Sequence, residues 1–426
     1  MGCCKQKNYF YGYVVLVAVW FTYFTNMGVM YYSMPAMNAK MLEAMGGVFD
    51  SASIGLATGL SIFMQGLGSF FVGPYIARKG CKTPLMLGTA LLVVFGAALA
   101  FLPLNRLTFL LIFGIGIGLS LGCAGIITTQ TAINDWFDRK KPMAMAVVLT
   151  AGAIGGFVGP FGTRYFIVKG GWTWGWLFVA AVCLIALLVT VVFVISKPAD
   201  IGQFPDGVEP VGEEKQTSAV FLPFTEIMRD PTIYYYLVNS GTRNLLFAAI
   251  TGHIVIYLSG CGMNFNDAVL TLSVASIFSL AGRLLCGALP EDKISLRYTL
   301  AAANVLMSAA LLLMVFFTTL HAVYIGAAFL GIGLGFGHVG SPVLLSRIYG
   351  QGNFAVIVGG IAPMSSLISA IGPAVVGMSA AAVGYRLPYV IASVLTLMGG
   401  ACALAMKENY FVRRPKRAKK KTCSEA

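Results

Sequence analysis

The sequence predicts an all-α membrane protein whose twelve transmembrane helices form two parallel six-helix bundles. Three observations carry that expectation. Of 426 residues, 58% are hydrophobic and only 11% charged, against about 25% charged in a typical soluble domain. Mean hydropathy is +0.82. Apolar runs of about 20 residues, the length that crosses a bilayer as a helix, recur twelve times, and the second six echo the first six.

The runs cover residues 11–37, 53–77, 84–102, 109–136, 143–168, 174–195, 232–258, 268–289, 298–319, 322–349, 354–383 and 388–406. Between the sixth and seventh, residues 198–230 are rich in Pro, Gly and Glu and read as a solvated connection. The chain therefore divides into an N-terminal segment (1–10), a first bundle (11–196), a central loop (197–230), a second bundle (231–406) and a basic tail (407–426). No signal-peptide cleavage pattern precedes the first run, so it is expected to be retained. Met1-Gly2-Cys3-Cys4 invites comparison with an acylated start, but Gln6 stands where myristoylation prefers Ser or Thr.

The net charge of +13 follows from loop composition rather than from a nucleic-acid partner, and none is expected. With the N-terminus inside, alternate connections and the tail hold 22 Lys and Arg, whereas the opposite side holds four: Lys40, Arg106, Lys169 and Arg386. That bias places both termini in the cytoplasm of a multi-pass plasma-membrane protein, or an inner-membrane protein in a bacterium. Membrane lipid is then a partner of the basic tail. The oligomeric state is left open, a monomer being the simplest case. The nine cysteines show no paired spacing. No metal motif, nucleophile elbow or carboxylate pair is present, so neither enzyme chemistry nor a cofactor nor a metal is expected.

The repeat is explicit. Ser61-Ile62-Phe63 leads to Gly68 and Gly73, and Ser276-Ile277-Phe278 leads to Gly282 and Gly287. Gly118, Gly122 and Gly125 of the fourth run answer to Gly333, Gly337 and Gly340 of the tenth, and Gly159-Pro160 answers to Gly372-Pro373. The offsets are 213 to 215 residues. Small residues at such spacing let helices approach closely, and the Gly-Pro pairs permit kinks. A parallel repeat about the membrane normal is the plan of transporters that hold substrate between their halves near midplane.

On these features the chain is similar to the major facilitator superfamily over nearly its whole length. Gly73-Pro74-Tyr75-Ile76-Ala77-Arg78-Lys79-Gly80-Cys81-Lys82 resembles that superfamily's short cytoplasmic motif, with Ala77 in place of its aspartate; the repeat partner of Ala77 is Glu291. Three features resemble the oxalate/formate antiporter and monocarboxylate porter group. They are Tyr11-Gly12-Tyr13-Val14-Val15, Trp136-Phe137-Asp138-Arg139-Lys140 before a glycine-rich fifth run, and Gly282-Arg283 in the eighth. The resemblance implies a substrate-contacting role for Arg283. The chain departs from the group by carrying Ser279 four residues before that arginine, Asn26 in the first run, and no charge in residues 361–377.

Ionisable residues at bilayer depth are functional candidates. Arg243 lies near the middle of the seventh run, Arg283 in the inner half of the eighth and Arg164 toward the outer end of the fifth; none of the sixteen acids lies mid-run. Internal guanidinium without internal carboxylate points to an anionic substrate, a small mono- or dicarboxylate, paired by Arg283. Ser276 and Ser279 share its helical face. Arg243, with Asn239 four residues before it, is either a second contact or a packing strut, and Arg164 is expected to snorkel outward. Tyr31, Tyr32, Ser279 and Asn26 complete the expected substrate contacts, while His338 and His253 are the candidates for proton coupling. The alternatives are a drug or metabolite exporter, suggested by Gly155-Gly156-Phe157-Val158-Gly159-Pro160, and more remotely a transporter-like receptor.

Overall fold

The computed structural model describes residues 10–46, 48–138, 140–207, 224–288, 295–349 and 354–406. The Glu291 latch, Arg139, residues 208–223 of the central loop and the basic tail lie outside the described residues. Within them no strand occurs, and ten helices are long and apolar enough to cross a membrane. Twelve crossings are reached for two reasons. The stretch Met143–Phe193 would be about 77 Å long as one straight helix, more than twice a bilayer core. It breaks at Gly170 and at Gly171, whose φ of 77° belongs to the left-handed region. Pro231–Gly260 has the length for a crossing but is more polar, holding Asn239, Ser240, Thr242, Arg243, Thr251 and His253.

In chain order the crossings are α1 (Gly12–Ala44), α2 (Ser51–Lys79), α3 (Lys82–Phe101), α4 (Arg106–Trp136), α5 (141–169), α6 (172–193), α7 (Pro231–Gly260), α8 (Phe265–Ala288), α9 (Leu296–Phe316), α10 (Leu320–Tyr349), α11 (Phe354–Val383) and α12 (Arg386–Ala405). Their lipid-facing sides are apolar, with Phe101, Met143 and Leu284 all exposed. That suits a hydrocarbon solvent in which every backbone group must be satisfied within the helix. Connections carry conventional stops and starts. Asp50 caps α2 by accepting from the Ser53 amide at 2.8 Å, and the Ser53 hydroxyl and amide hold its carboxyl below the usual carboxylate range. Asp230 caps α7 and also accepts from Tyr349 Oη at 3.0 Å.

The central connection is less loose than its composition suggests. Residues 198–207 form two short 3₁₀ turns packed on the first bundle. Asp206 Oδ2 accepts from the Asp138 amide at 3.1 Å, Gln203 Oε1 accepts from the Tyr11 amide at 3.1 Å, and Trp136 Nε1 donates to Ile195 O at 2.9 Å. Two sequence features that carried the family resemblance thus meet at one end of the bundle, called here the termini face.

The repeat is repeated as geometry. A side chain at Gly118 would strike Ser61 O and one at Gly122 would strike Gln65 O; a side chain at Gly331 would strike Ala275 O and one at Gly335 Ser279 O. The crossing of α2 with α4 recurs between α8 and α10, with Gly331 and Gly335 in the places that the sequence offset assigns to Gly333 and Gly337, which face Met307 and Arg243 instead. Across the halves, α2 lies against α11 through Gly55, Gly59 and Gly66, and α5 lies against α8 where Gly156 faces Ser276. Within the first half α1 meets α5 backbone to backbone at Gly28 and Gly155. The crossing leaves no room for a methyl group, so Gly155→Ala is expected to cost about 1–3 kcal/mol through overpacking. Gly287, where a methyl group would meet nothing within 4 Å, is the control. Thermal unfolding in detergent should show a lowered midpoint for Gly155→Ala and an unchanged or raised one for Gly287→Ala.

Candidate functional site

α8 carries Ser273, Ser276, Ser279 and Arg283 on one face, a spacing of three, three and four residues. All three serines are buried, and the Ser273 hydroxyl, the Ser279 hydroxyl and Arg283 Nε lack hydrogen-bond partners. Buried polar atoms without partners are uncommon and call for a reason. The Arg283 guanidinium reaches across the seam between the halves. One terminal nitrogen donates to the Leu149 carbonyl of α5; the other meets His338 Nδ1 of α10 at 3.3 Å. Arginine only donates, so Nδ1 is the acceptor and that nitrogen carries no proton. Among the described residues no carboxylate pairs with Arg283; the ion pairs there are Lys40 with Glu43 and Arg106 with Asp50.

Around this cation the first half supplies tyrosines. Tyr23 and Tyr32 lie within electrostatic reach of Arg283, and the Tyr32 hydroxyl faces Ser276. Gly156 makes room for them, since a side chain there would overlap both Ser276 and the Tyr32 ring. Tyr31 turns its hydroxyl toward Thr251 of α7 and lies nearly parallel to Phe247, with ring centroids 6.1 Å apart and planes inclined by 16°. A small cavity beside Tyr31 is lined by Met34, Thr58, Ser61, Ile62, Gln65 and Thr251. Tyr31, Tyr32, Phe247, Ser276 and Gly156 all fall near the middle of their helices, and Arg283 about two turns nearer the termini face.

The structure thus gathers Arg283, His338, Tyr32, Tyr31 and Ser279 about one seam. The other expected site residues lie apart. Asn26 is fully buried in a π-helical segment, Phe24–Met30, and donates to Thr89 Oγ1 of α3 at 2.9 Å. Arg243 sits inside the second bundle, donating to Ser341 Oγ at 2.9 Å and Asn239 Oδ1 at 3.4 Å, while Asn239 donates to Gly399 O at 3.1 Å. Its stem lies over Gly337, where any larger residue would collide with Nε. His253 is fully buried against the α11 kink, with Nε2 3.1 Å from Pro373 O. Arg164 lies within electrostatic reach of Tyr324, whose hydroxyl is 3.5 Å from Asp267 Oδ1. Phe247 and Tyr23 were not singled out by sequence; both are aromatics within apolar runs and bear no distinguishing pattern.

Twelve crossings in two repeated halves, with a polar cluster on the seam between them, match a plan on which many transporters are built. The chain belongs to the Major Facilitator Superfamily, whose model matches residues 19–295 and 291–424, and its helices are those of a multi-pass membrane protein. The chain is 26% identical to the MFS transporter asaE of Aspergillus flavus over 245 residues, which is 56% of this chain and 50% of that protein. It is 26% identical to the Fujikurins efflux protein of Gibberella fujikuroi over 56% of this chain and 48% of that one. With monocarboxylate transporter 9 of Rattus norvegicus it shares 29% identity over 161 residues, 37% of this chain and 30% of that one. The matched part spans about half the length of the two fungal relatives. Among solved structures, a bacterial homolog to the human lysosomal transporter Spinster, inward-facing and unoccupied, superposes with a TM-score of 0.73. It covers 96% of this chain and 98% of that one at 14% identity, a likeness of fold.

The Arg243 network predicts a stability effect. Ser341→Ala removes the 2.9 Å partner of a buried cation, which should cost about 1.5–3 kcal/mol. A lowered unfolding midpoint, with transport per folded molecule within about twofold of the parent, is the expected pair of readings.

Proposed function

We propose that the protein moves a small organic anion, a mono- or dicarboxylate, across its membrane by alternating access, with Arg283 pairing the substrate carboxylate. The observation that carries this reading is a half-buried guanidinium on the inter-half seam whose Nε is unpartnered and which has no carboxylate partner among the described residues. A guanidinium offers two parallel N–H groups to a carboxylate, and away from bulk water such charge-assisted pairs are stronger than neutral ones. Tyr32, facing Ser276 beside the same cation, adds a hydroxyl donor while its ring excludes water. The moving bodies are residues 11–196 and 231–406, and the lysine and arginine bias supports termini in the cytoplasm.

A second reading, export of a metabolite, is favoured by the fungal relative described as an efflux protein. The two readings share an anionic cargo if Arg283 is its anchor, and they separate on the direction of net flux.

Purified protein in liposomes, assayed for uptake of labelled small carboxylates with and without an internal counter-anion, tests the reading. Arg283→Gln should raise the half-saturating concentration by about 10–100-fold, the loss of a charged hydrogen-bonded pair, and Arg283→Lys should fall between it and the parent. Unchanged affinity and rate in both variants would remove the arginine from the site. Transport of an apolar cation with no carboxylate transport would remove the anion.

His338 adds a pH dependence. Its Nδ1 accepts from Arg283, so protonation there sets two cations face to face, with Arg243 also within electrostatic reach. A carboxylate on Arg283 neutralises one of them, and by linkage anion binding and protonation favour one another. Carboxylate affinity should therefore rise as the medium is acidified, and His338→Gln should flatten the profile.

A further inference from the structure

We infer that the organic part of the transported carboxylate is a flat apolar group, an aryl ring in the simplest case, seated against Phe247 and Tyr32, and that a second carboxylate is disfavoured. The inference rests on Arg283 as the carboxylate anchor and narrows that reading to one substrate class.

Two independent observations lead there. The first is the fate of the second internal cation. Arg243 is 5% exposed, and both of its terminal nitrogens are committed inside the second bundle, to Asn239 and Ser341. Gly337 holds its stem flat against α10. A dianion anchored at Arg283 would leave its other carboxylate without a free guanidinium, in surroundings where an unpaired charge is costly. Monoanions escape that cost.

The second is the wall opposite α8. Phe247 comes from α7 in the second half, Tyr31 and Tyr32 from α1 in the first, and the three rings meet at mid-depth. Phe247 lies 5.8 Å from Tyr32 and 6.1 Å from Tyr31 by ring centroids, and Tyr31 and Tyr32 stand edge to face at 6.1 Å. Phe247 and Tyr31 are only partly buried, so they present area to the seam. The two tyrosine hydroxyls are taken up by Thr251 and Ser276, and the ring faces make the contacts with Phe247. Offset or edge-on contact with a further ring falls within the separations that aromatic side chains prefer. Tyr32 joins the two regions: its hydroxyl end lies toward Ser276 and Arg283, its ring toward Phe247. A ligand with its carboxylate at Arg283 and a planar body along Tyr32 would therefore touch both halves.

The test compares binding of benzoate, acetate and succinate to the full-length protein by calorimetry, in the parent, Phe247→Leu and Arg283→Gln. Benzoate should bind about tenfold or more tightly than acetate, from ring burial and aromatic contact together, and succinate no more tightly than acetate. Phe247→Leu, which keeps an apolar side chain, should bring the benzoate-to-acetate ratio toward unity. Acetate or succinate binding as tightly as benzoate would overturn the inference, as would a ratio unchanged by Phe247→Leu. Should Phe247→Leu fail to fold, the ranking of the three anions in the parent decides the matter. Carboxylate binding that ignores Arg283→Gln, or no carboxylate binding in the parent, overturns the anchor itself and not merely the choice of cargo.

Discussion

A guanidinium placed within a membrane bundle and left without a carboxylate among the described residues is the constraint from which the rest of this structure follows. Its charge cannot face hydrocarbon, so the helix that carries it must turn that face toward protein and water. In α8 that face is also the serine face, and it meets the seam with the first half. The backbone carbonyl of Leu149 and the imidazole of His338 satisfy the two terminal nitrogens. They are weak substitutes for an anion, and Nε is left over. On the proposed reading the site is left incomplete so that an anion can finish it.

The two internal arginines show how the same residue type takes different roles. Arg243 is enclosed by a helix pair that supplies a hydroxyl, an amide and a glycine for it to lie against. Arg283 spans the gap between the two halves, the bodies that move relative to one another in the proposed alternating access. Contacts inside a bundle persist through rocking, whereas contacts across the seam are made and broken. Only the latter can be exchanged for a substrate without unfolding part of the protein. The far face carries contacts across the halves too, with Ser51 Oγ 2.7 Å from Tyr385 Oη and Lys40 over the Phe265 ring.

Much of the fold was legible because membrane burial leaves coarse marks. Apolar length marks each crossing, and some of the glycines that repeat at an offset of 213 to 215, such as Gly118, Gly122 and Gly282, mark helix pairs whose backbones touch. The one crossing whose hydropathy is low, α7, is low because its polar side chains are turned inward. Arg283 was legible because a lone charge in such a run has few explanations. Asn26 joined the candidate contacts because the family resemblance singles out its position in the first run, but Phe24–Met30 is π-helical. Its wider turn changes which residues share a face, and Asn26 meets Thr89 of α3. Phe247 was illegible: among 29 phenylalanines nothing local sets apart the one that meets Tyr31 and Tyr32. Its role depends on α7 crossing α1, a tertiary fact.

The most direct measurement is a structure of the protein in lipid with benzoate bound. The account predicts the carboxylate on Arg283, with the guanidinium drawn off the Leu149 carbonyl and the ring of the ligand against Phe247. A benzoate bound elsewhere in the seam, with Arg283 still held by Leu149 and His338, would contradict it.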